Sequence, residues 1–174
     1  MKRLRIAGIV VCTVFISLVS ILNAQTDVKL KAFLINVKGW TGGKPEGMAM
    51  SMGSMKMANA MREYRNKDKK IIVAVTITSS ETTLGKIEKI SKKDAPDNVK
   101  IVTKKVNGFT LKQVYAKERG KQNGTILIRL YGKDDAKGAV FMLNYENVPD
   151  KEALSIAKKF NWKGIKKLAA DFLK

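Results

Sequence analysis

From residue 48 onward, apolar and polar residues alternate along much of the chain, which predicts a domain rich in β-strands. The clearest strand is Lys70–Thr78, because its β-branched residues suit a buried central position in a sheet. Asn107-Gly108, between two alternating runs, is a strong signal for a tight hairpin turn. Consecutive hairpins predict a mainly antiparallel sheet of about six or seven strands. The other alternating runs are Val99–Val106, Phe109–Lys117, Thr125–Gly132 and Ala139–Glu146.

Apolar residues at helical spacing interrupt this pattern in several places. Ser80–Lys92 predicts a helix after the central strand. Pro149 starts a C-terminal helix, which Asn161–Gly164 interrupts before a second short helix at Ile165–Leu173. Val28–Val37 fits either a short helix or a strand. The predicted fold class is therefore α+β, with one helix after the second or third strand and C-terminal helices packed on the sheet.

One segment, Met48–Met61, is unusual because it holds six of the eight methionines. Methionine alternates there with small or polar residues on both sides of Gly53-Ser54, a pair typical of a two-residue hairpin turn. A bulge at Gly53 within one continuous strand is the alternative. Either structure places the methionines on one face and small or polar residues on the other. In the hairpin, Met52 faces Met55, Met50 faces Met57, and Met48 faces Asn59.

Three interpretations of this methionine face stay open. Methionine is an adaptable core filler, so the face can pack beneath a helix. An exposed face can instead bind an apolar partner or a lipid surface. Thioether sulfur is also a soft ligand that suits Cu(I) when three or four sulfurs converge on the ion. The candidate metal site then consists of Met50, Met52, Met55 and Met57.

The N-terminus has the layout of a signal peptide. Basic residues precede Ile6–Leu22, an uncharged apolar run of 17 residues, and the small residue Ala24 ends the segment. A membrane-spanning helix usually needs about 20 apolar residues, so an uncleaved N-terminal anchor is only the second interpretation. We therefore predict a signal peptide (1–24), an N-terminal segment (25–47) and an α+β domain (48–174). The mature protein would be periplasmic or secreted, with no transmembrane span after cleavage.

Cleavage after Ala24 leaves a strongly basic protein. Removal of Lys2, Arg3 and Arg5 leaves 31 basic residues against 15 acidic ones and a net charge of +16. Such a surface attracts anionic lipid head groups, acidic glycans or lipopolysaccharide. The lysines are spread along the whole chain, which is also typical of an ordinary solvated surface. No motif indicates a specific nucleic-acid partner.

Missing residue types exclude several chemistries. The chain has no histidine, and its single cysteine, Cys12, lies in the predicted signal peptide. A Ser-His-Asp triad, a thiol nucleophile and an ordinary zinc site are therefore excluded from the mature protein. Ser155 and Lys158 lie one helical turn apart, but their setting favours a solvated pair. Asp134-Asp135 lies in a polar turn that lacks the alternating oxygen ligands of a calcium site.

The second half of the chain carries a resemblance. It combines VNGF (Val106–Phe109), Tyr115 and Glu118 with a closing segment NVPDKEALSIAKKFNWKGIKKLA. Together with the predicted export and strand meander, these features resemble small exported bacterial proteins of unknown function. The arrangement is similar to the PsbP-like α/β/α sandwich. The resemblance extends from Met48 to the end and implies fold and export, with no functional residue carried over.

These observations predict an exported cell-envelope protein that binds a partner and catalyses no reaction. We expect no catalytic residue and no cofactor, since an enzyme of this composition would have to rely on Lys, Asp and Tyr. One alternative is a Cu(I)-binding protein that uses the methionine face. Another is a basic surface module for an anionic lipid or glycan. The expected partner is an anionic envelope component or an apolar partner at the methionine face.

Expression of the full chain in a bacterium tests the predicted export. We expect the protein outside the cytoplasm with Gln25 as its first residue, because a small residue precedes the cut. Intact mass and N-terminal sequencing measure this. A Val14→Asp/Ile16→Asp variant, which places charges in the apolar run, should stay in the cytoplasm at full length. Equal export of that variant, or a full-length wild-type chain in the membrane fraction, would contradict the prediction.

Overall fold

A single antiparallel sheet forms the body of the protein. The structure, a computed structural model, describes residues 26–79, 98–118, 121–132 and 137–174. The strands of this part of the chain are β1 (Thr41–Gly42), β2 (Glu46–Met52), β3 (Met55–Asn66), β4 (Lys69–Thr78), β5 (Val99–Val106), β6 (Phe109–Glu118), β7 (Lys121–Tyr131) and β8 (Gly138–Glu146). Their order in the sheet is β1-β3-β4-β8-β7-β6-β5, and β2 pairs with β3 at the same edge as β1. Long hairpins therefore account for most of the pairing, as the alternating sequence predicts.

Helices precede and follow these strands. They are α1 (residues 26–32), α2 (Asp150–Ala157) and α3 (Trp162–Phe172). The segment that fitted either a helix or a strand therefore begins as a helix. Asn161 caps α3, because its side chain accepts a hydrogen bond from the backbone N–H of Gly164 at 2.9 Å. The predicted interruption is thus the first turn of α3, which begins three residues before the predicted Ile165. The predicted α+β class and the C-terminal helices packed on the sheet are confirmed.

The core lies between the helices and one face of the sheet. Phe141, near the centre of β8, packs against Phe160 at a ring-centroid distance of 5.2 Å and against Trp162 at 6.1 Å. Alternate residues of the central strands point to the same side, which buries their β-branched side chains beneath α2 and α3. The N-terminal segment joins this core through Leu30, Leu34 and Val37. The buried residues of β4 are Ile71, Val73, Val75 and Ile77.

One arginine fastens the N-terminal segment to the sheet. The guanidinium of Arg62 on β3 donates to the carbonyl oxygens of Leu34 at 2.7 Å and Gly43 at 2.8 Å. It also donates to the side chain of Asn36 at 2.6 Å and lies 5.2 Å from the ring centre of Tyr64. The Tyr64 hydroxyl donates to a further carbonyl of the same segment at 2.9 Å. These charge-assisted bonds hold the segment over the helix-covered face of β3.

Small residues make this close approach possible. Ala58 and Ala60 on β3 are fully buried on the helix-covered face. Gly47 on β2 lies opposite Ala60, and a Cβ atom there would clash with the backbone of Asn59 and Ala60 and come 3.1 Å from the side chain of Asp27 in α1. Larger side chains on this face of β2 and β3 would push the N-terminal segment away.

Other sequence predictions have mixed outcomes. The signal peptide (1–24), the helix at Ser80–Lys92 and the turn at Asp134-Asp135 lie outside the described residues. The alternating run predicted at Thr125–Gly132 starts earlier in the structure, because β7 already begins at Lys121. Within the described part of the chain, no helix is both long and apolar enough to cross a membrane. The PsbP-like layout stays a prediction.

Two neighbouring residues of β3 test which face of the hairpin is the packed one. Ala58→Leu should lower the free energy of unfolding by about 1–3 kcal/mol, because three carbon atoms enter a filled core. Met57→Leu should change it by less than about 0.5 kcal/mol, since that side chain points to the other face. Urea unfolding of both variants measures the difference. Equal effects, or a larger loss for Met57→Leu, would mean that the methionines face the core.

Candidate functional site

The methionine segment forms the hairpin that its sequence predicts. The turn residue Gly53 has a φ of +59°, a left-handed conformation that favours glycine. β2 and β3 continue on either side of this turn, so the alternative of one bulged strand is wrong. The predicted register is confirmed, with Met50 opposite Met57, Met52 opposite Met55 and Met48 opposite Asn59.

The methionine face is open rather than packed. Met50 and Met57 are half-buried, and neither belongs to the buried core. The described helices pack on the opposite face, against the small residues of the same hairpin. Four of the hairpin methionines are therefore too exposed to be core filler. The exposed fractions of the other four are 56% for Met48, 65% for Met52, 45% for Met55 and 45% for Met61.

A seventh methionine shares this side of the sheet. Met61 on β3 lies opposite Ala74 on β4, which in turn lies opposite Met142 on β8. Every methionine after Met1 therefore points to the same face of the sheet. Met142 was not predicted to belong to this face, although the sequence carries the signal for it. It alternates with Phe141 and the other core residues of β8, and so had to face away from them.

Hydrogen bonds at the hairpin tip hold the methionine face in place. The backbone N–H of Lys56 donates to the Ser79 hydroxyl at 2.7 Å, and that hydroxyl donates to the carbonyl of Ser54 at 3.0 Å. The Lys56 ammonium reaches over the opposite face to the carbonyl of Phe172 at the end of α3, at 3.2 Å. The tip is therefore tied both to the end of β4 and to the C-terminal helix.

Charged residues border the methionine face at the far end of β3. Arg65 donates to the carboxylate of Glu63 at 2.6 Å, and Lys70 lies 3.4 Å from the same carboxylate. The hydrogen bond from Arg65 is the main reason that the pKa of Glu63 lies below its usual value. This ion-paired cluster marks the end of the methionine face on β3. In the described parts of the chain, no group of His, Cys, Asp and Glu side chains could hold a metal ion.

The hairpin geometry suits a soft ligand that contacts several thioethers at once. Cross-strand Cβ atoms lie about 5 Å apart, and alternate residues of one strand lie about 7 Å apart. The candidate quartet therefore occupies the corners of a small rectangle on the open face. Each methionine has three rotatable side-chain bonds, so all four sulfur atoms can turn towards the centre. The quartet is Met50, Met52, Met55 and Met57.

A second cluster brings together the residue types that an enzyme of this composition would need. Lys100, Tyr115 and Asp150 line a cleft of about 140 Å³. Next to them, the buried Tyr145 hydroxyl donates to Asp150 at 2.8 Å and accepts from Gln113 at 3.2 Å. Burial raises the pKa of Tyr145 well above its usual value, which makes this hydroxyl a poorer acid. The network joins the start of α2 to the sheet and gives no activated nucleophile or base.

The sequence also raised a pairing of Ser155 with Lys158. Ser155 and Lys158 are both exposed, so neither is desolvated as a serine–lysine nucleophile requires. Glu63 pairs with Arg65 on the open face, whereas Arg62 points to the covered face and binds backbone carbonyls. Ser155 and Lys158 are therefore solvated surface residues, whereas Arg62 and Glu63 form structural contacts.

Compared with known proteins, the chain matches no family model, no curated protein and no solved structure. Its function must therefore be argued from its own residues. The methionine face is the strongest site for that argument, because its residue type and its geometry point to the same chemistry.

Mild oxidation with hydrogen peroxide tests the exposure of the methionines. Met48, Met52, Met55 and Met61 should form sulfoxides faster than Met142, because their sulfur-bearing side chains are more exposed. Tandem mass spectrometry of peptides measures the rate at each position, and the urea-unfolded protein gives the reference rates. Protection of the four hairpin methionines to the level of Met142 would contradict an open face.

Proposed function

We propose that this protein is an exported, non-catalytic binding module of the cell envelope, and that its methionine face binds Cu(I). Met50, Met52, Met55 and Met57 are the proposed ligands. The export part rests on the basic and apolar pattern of residues 1–24. The binding part rests on the open hairpin face described above.

One observation carries the proposal: four methionines of the hairpin share one face as two directly opposed pairs. Thioether sulfur favours soft ions such as Cu(I) over hard ions such as Mg²⁺ or Ca²⁺. The mature chain offers no histidine or cysteine that would compete for the metal. A thioether-only site is therefore the site for a soft metal ion that its composition supports.

The residue type favours a metal over a purely apolar partner. All the apolar side chains on this face of β2 and β3 are methionines, without leucine, isoleucine, valine or an aromatic residue. An apolar docking surface gains as much from aliphatic and aromatic side chains as from thioethers. The exclusive use of sulfur is explained by a ligand that binds to sulfur.

Titration of the mature protein with Cu(I) against a competing chelator tests the proposal. We expect one ion per chain, bound more tightly than micromolar. The variants Met50→Leu/Met57→Leu and Met52→Leu/Met55→Leu should each weaken binding at least about tenfold, or by about 1.4 kcal/mol, because each loses an opposed pair. Leucine keeps the apolar volume, so the fold should be retained.

Met142→Leu is the matched control, since Met142 shares the face but lies on β8, away from the hairpin. It should leave the affinity for Cu(I) unchanged. No binding tighter than micromolar would contradict the proposal. Full affinity in a Met50→Leu/Met52→Leu/Met55→Leu/Met57→Leu variant, which lacks all four thioethers, would also contradict it. Equal binding of an apolar probe by the methionine and leucine forms of the face would also count against a metal.

A further inference from the structure

One edge of the sheet ends in a strand whose outer side has no partner in the described part of the chain. β2 pairs with β3 on its inner side, and no backbone hydrogen bond joins its outer side to another described segment. The pairing with β3 runs without a bulge over all seven residues of β2. An open edge of this length presents a row of N–H and C=O groups that a further strand can bind.

This edge lacks the features that usually protect an edge strand from further pairing. β2 contains no lysine, arginine or proline, and its only charged residue is Glu46 at one end. β5, the strand at the opposite edge, carries three lysines among its eight residues, and two of them, Lys100 and Lys105, are exposed. Lysine on an edge strand opposes the approach of another strand. The contrast indicates that β5 is protected from pairing, whereas β2 is suited to it.

The absence of basic residues from β2 favours a second copy of this chain as the partner. The mature protein carries a net charge of +16, so two copies repel each other over most of their surfaces. A contact along β2 brings together two strands without a positive charge. It also covers part of Met48 and Met52, whose side chains are 56% and 65% exposed, and burial of their apolar surface favours association.

We infer that β2 pairs antiparallel with β2 of a second copy, which joins two sheets into one continuous sheet. A two-fold axis perpendicular to the sheet relates the two strands, so the contact is the same from both sides and closes at a dimer. That axis also makes the methionine face of one copy continuous with that of the other. Pairing centred on Ala49 uses the whole strand, with Met50 opposite the partner's Met48. Met52 then lies opposite the partner's Glu46.

A carboxylate oxygen on the covered side of this edge supports the same pairing. Oδ1 of Asp27 is buried and accepts no hydrogen bond from any group that the structure describes. It lies over Gly47, 3.1 Å from the position that a Cβ atom would take there. In the pairing centred on Ala49, the partner's Ser51 lies opposite Gly47 and turns its side chain to the same face. A second copy therefore brings a hydroxyl donor to the side of the sheet on which this acceptor lies.

The pairing merges the methionine faces of the two copies. Met50 then lies between Met57 of its own chain and the partner's Met48, with Cβ atoms about 5 Å apart on each side. The two hairpins together form a four-stranded band with thioethers on one side. This contact does not depend on metal binding, so it can be tested in metal-free protein.

Sedimentation equilibrium of the metal-free mature protein tests the inference. We expect a dimer with a micromolar dissociation constant, because a single pair of strands is a small interface. Dimerisation should strengthen at higher salt, since salt screens the repulsion between two basic copies. Met48→Lys should weaken the dimer at least about tenfold, because it places an ammonium group from each copy at the contact. Met61→Lys is the control, since it adds the same charge to the same face on β3, away from the open edge, and should dimerise almost as the wild type does.

Cysteine cross-linking tests the register, because the mature chain has no cysteine of its own. Ala49→Cys places two thiols opposite each other across the two-fold axis, so mild oxidation should give a disulfide-linked dimer. Val102→Cys, on the β5 edge, should stay monomeric. Equal linking of these two variants, or equal weakening by the two lysine variants, would overturn the inference. A protein that stays monomeric at every concentration, or one that forms assemblies larger than a dimer, would also overturn it. So would a monomer with β2 amides protected from hydrogen exchange on the outer side, since another part of the chain would then cover the edge.

Discussion

The close approach of the N-terminal segment to β2 and β3 is the constraint on which the open face depends. Side chains on a strand alternate between faces, so whatever packs against one side determines what the other side presents. Ala58 and Ala60 leave room for that segment, and Arg62 and Tyr64 tie it down through its carbonyl groups. The methionines occupy the remaining positions and must point away. A one-residue slip of β3 would bury the methionines and expose the alanines, so packing on the covered face also fixes the register of the methionine face.

In the hairpin of β2 and β3, the packed side chains and the methionines lie on different faces. The covered side contains the aromatic cluster around Phe141 and the buried β-branched residues of β4. The open side carries flexible thioethers on a hairpin whose backbone is tied at its tip through Lys56. A rigid backbone lowers the conformational cost of ordering four ligands around one ion, and flexible side chains let the sulfur atoms reach it. Exchange of methionine for leucine leaves volume and packing nearly unchanged while removing the sulfur, so it separates the two roles.

Local sequence was enough to predict the hairpin and the sheet, but it could not predict features that depend on tertiary packing. Alternation and Gly53-Ser54 specified the pairs of methionines, and the structure has the same pairs. Whether that face was covered depended on where α1 and α3 pack, which no local pattern encodes. The position of Tyr131 was missed for a similar reason, because the bulge at Leu130 turns this side chain to the covered face of the sheet. The start of α3 was misplaced because Asn161 and Gly164 look like a break, although together they form an N-cap.

The most direct test of the methionine face as a ligand site is NMR of the mature protein labelled with ¹³C at the methionine methyl groups. Ag(I) is a soft, redox-inert substitute for Cu(I) and can be titrated without reductant. The account predicts that the methyl signals of Met50, Met52, Met55 and Met57 shift together and reach saturation at one ion per chain. The signals of Met48, Met61 and Met142 should move much less. Uniform small shifts of all seven methyl signals, or saturation only at several ions per chain, would contradict a single site formed by the hairpin quartet.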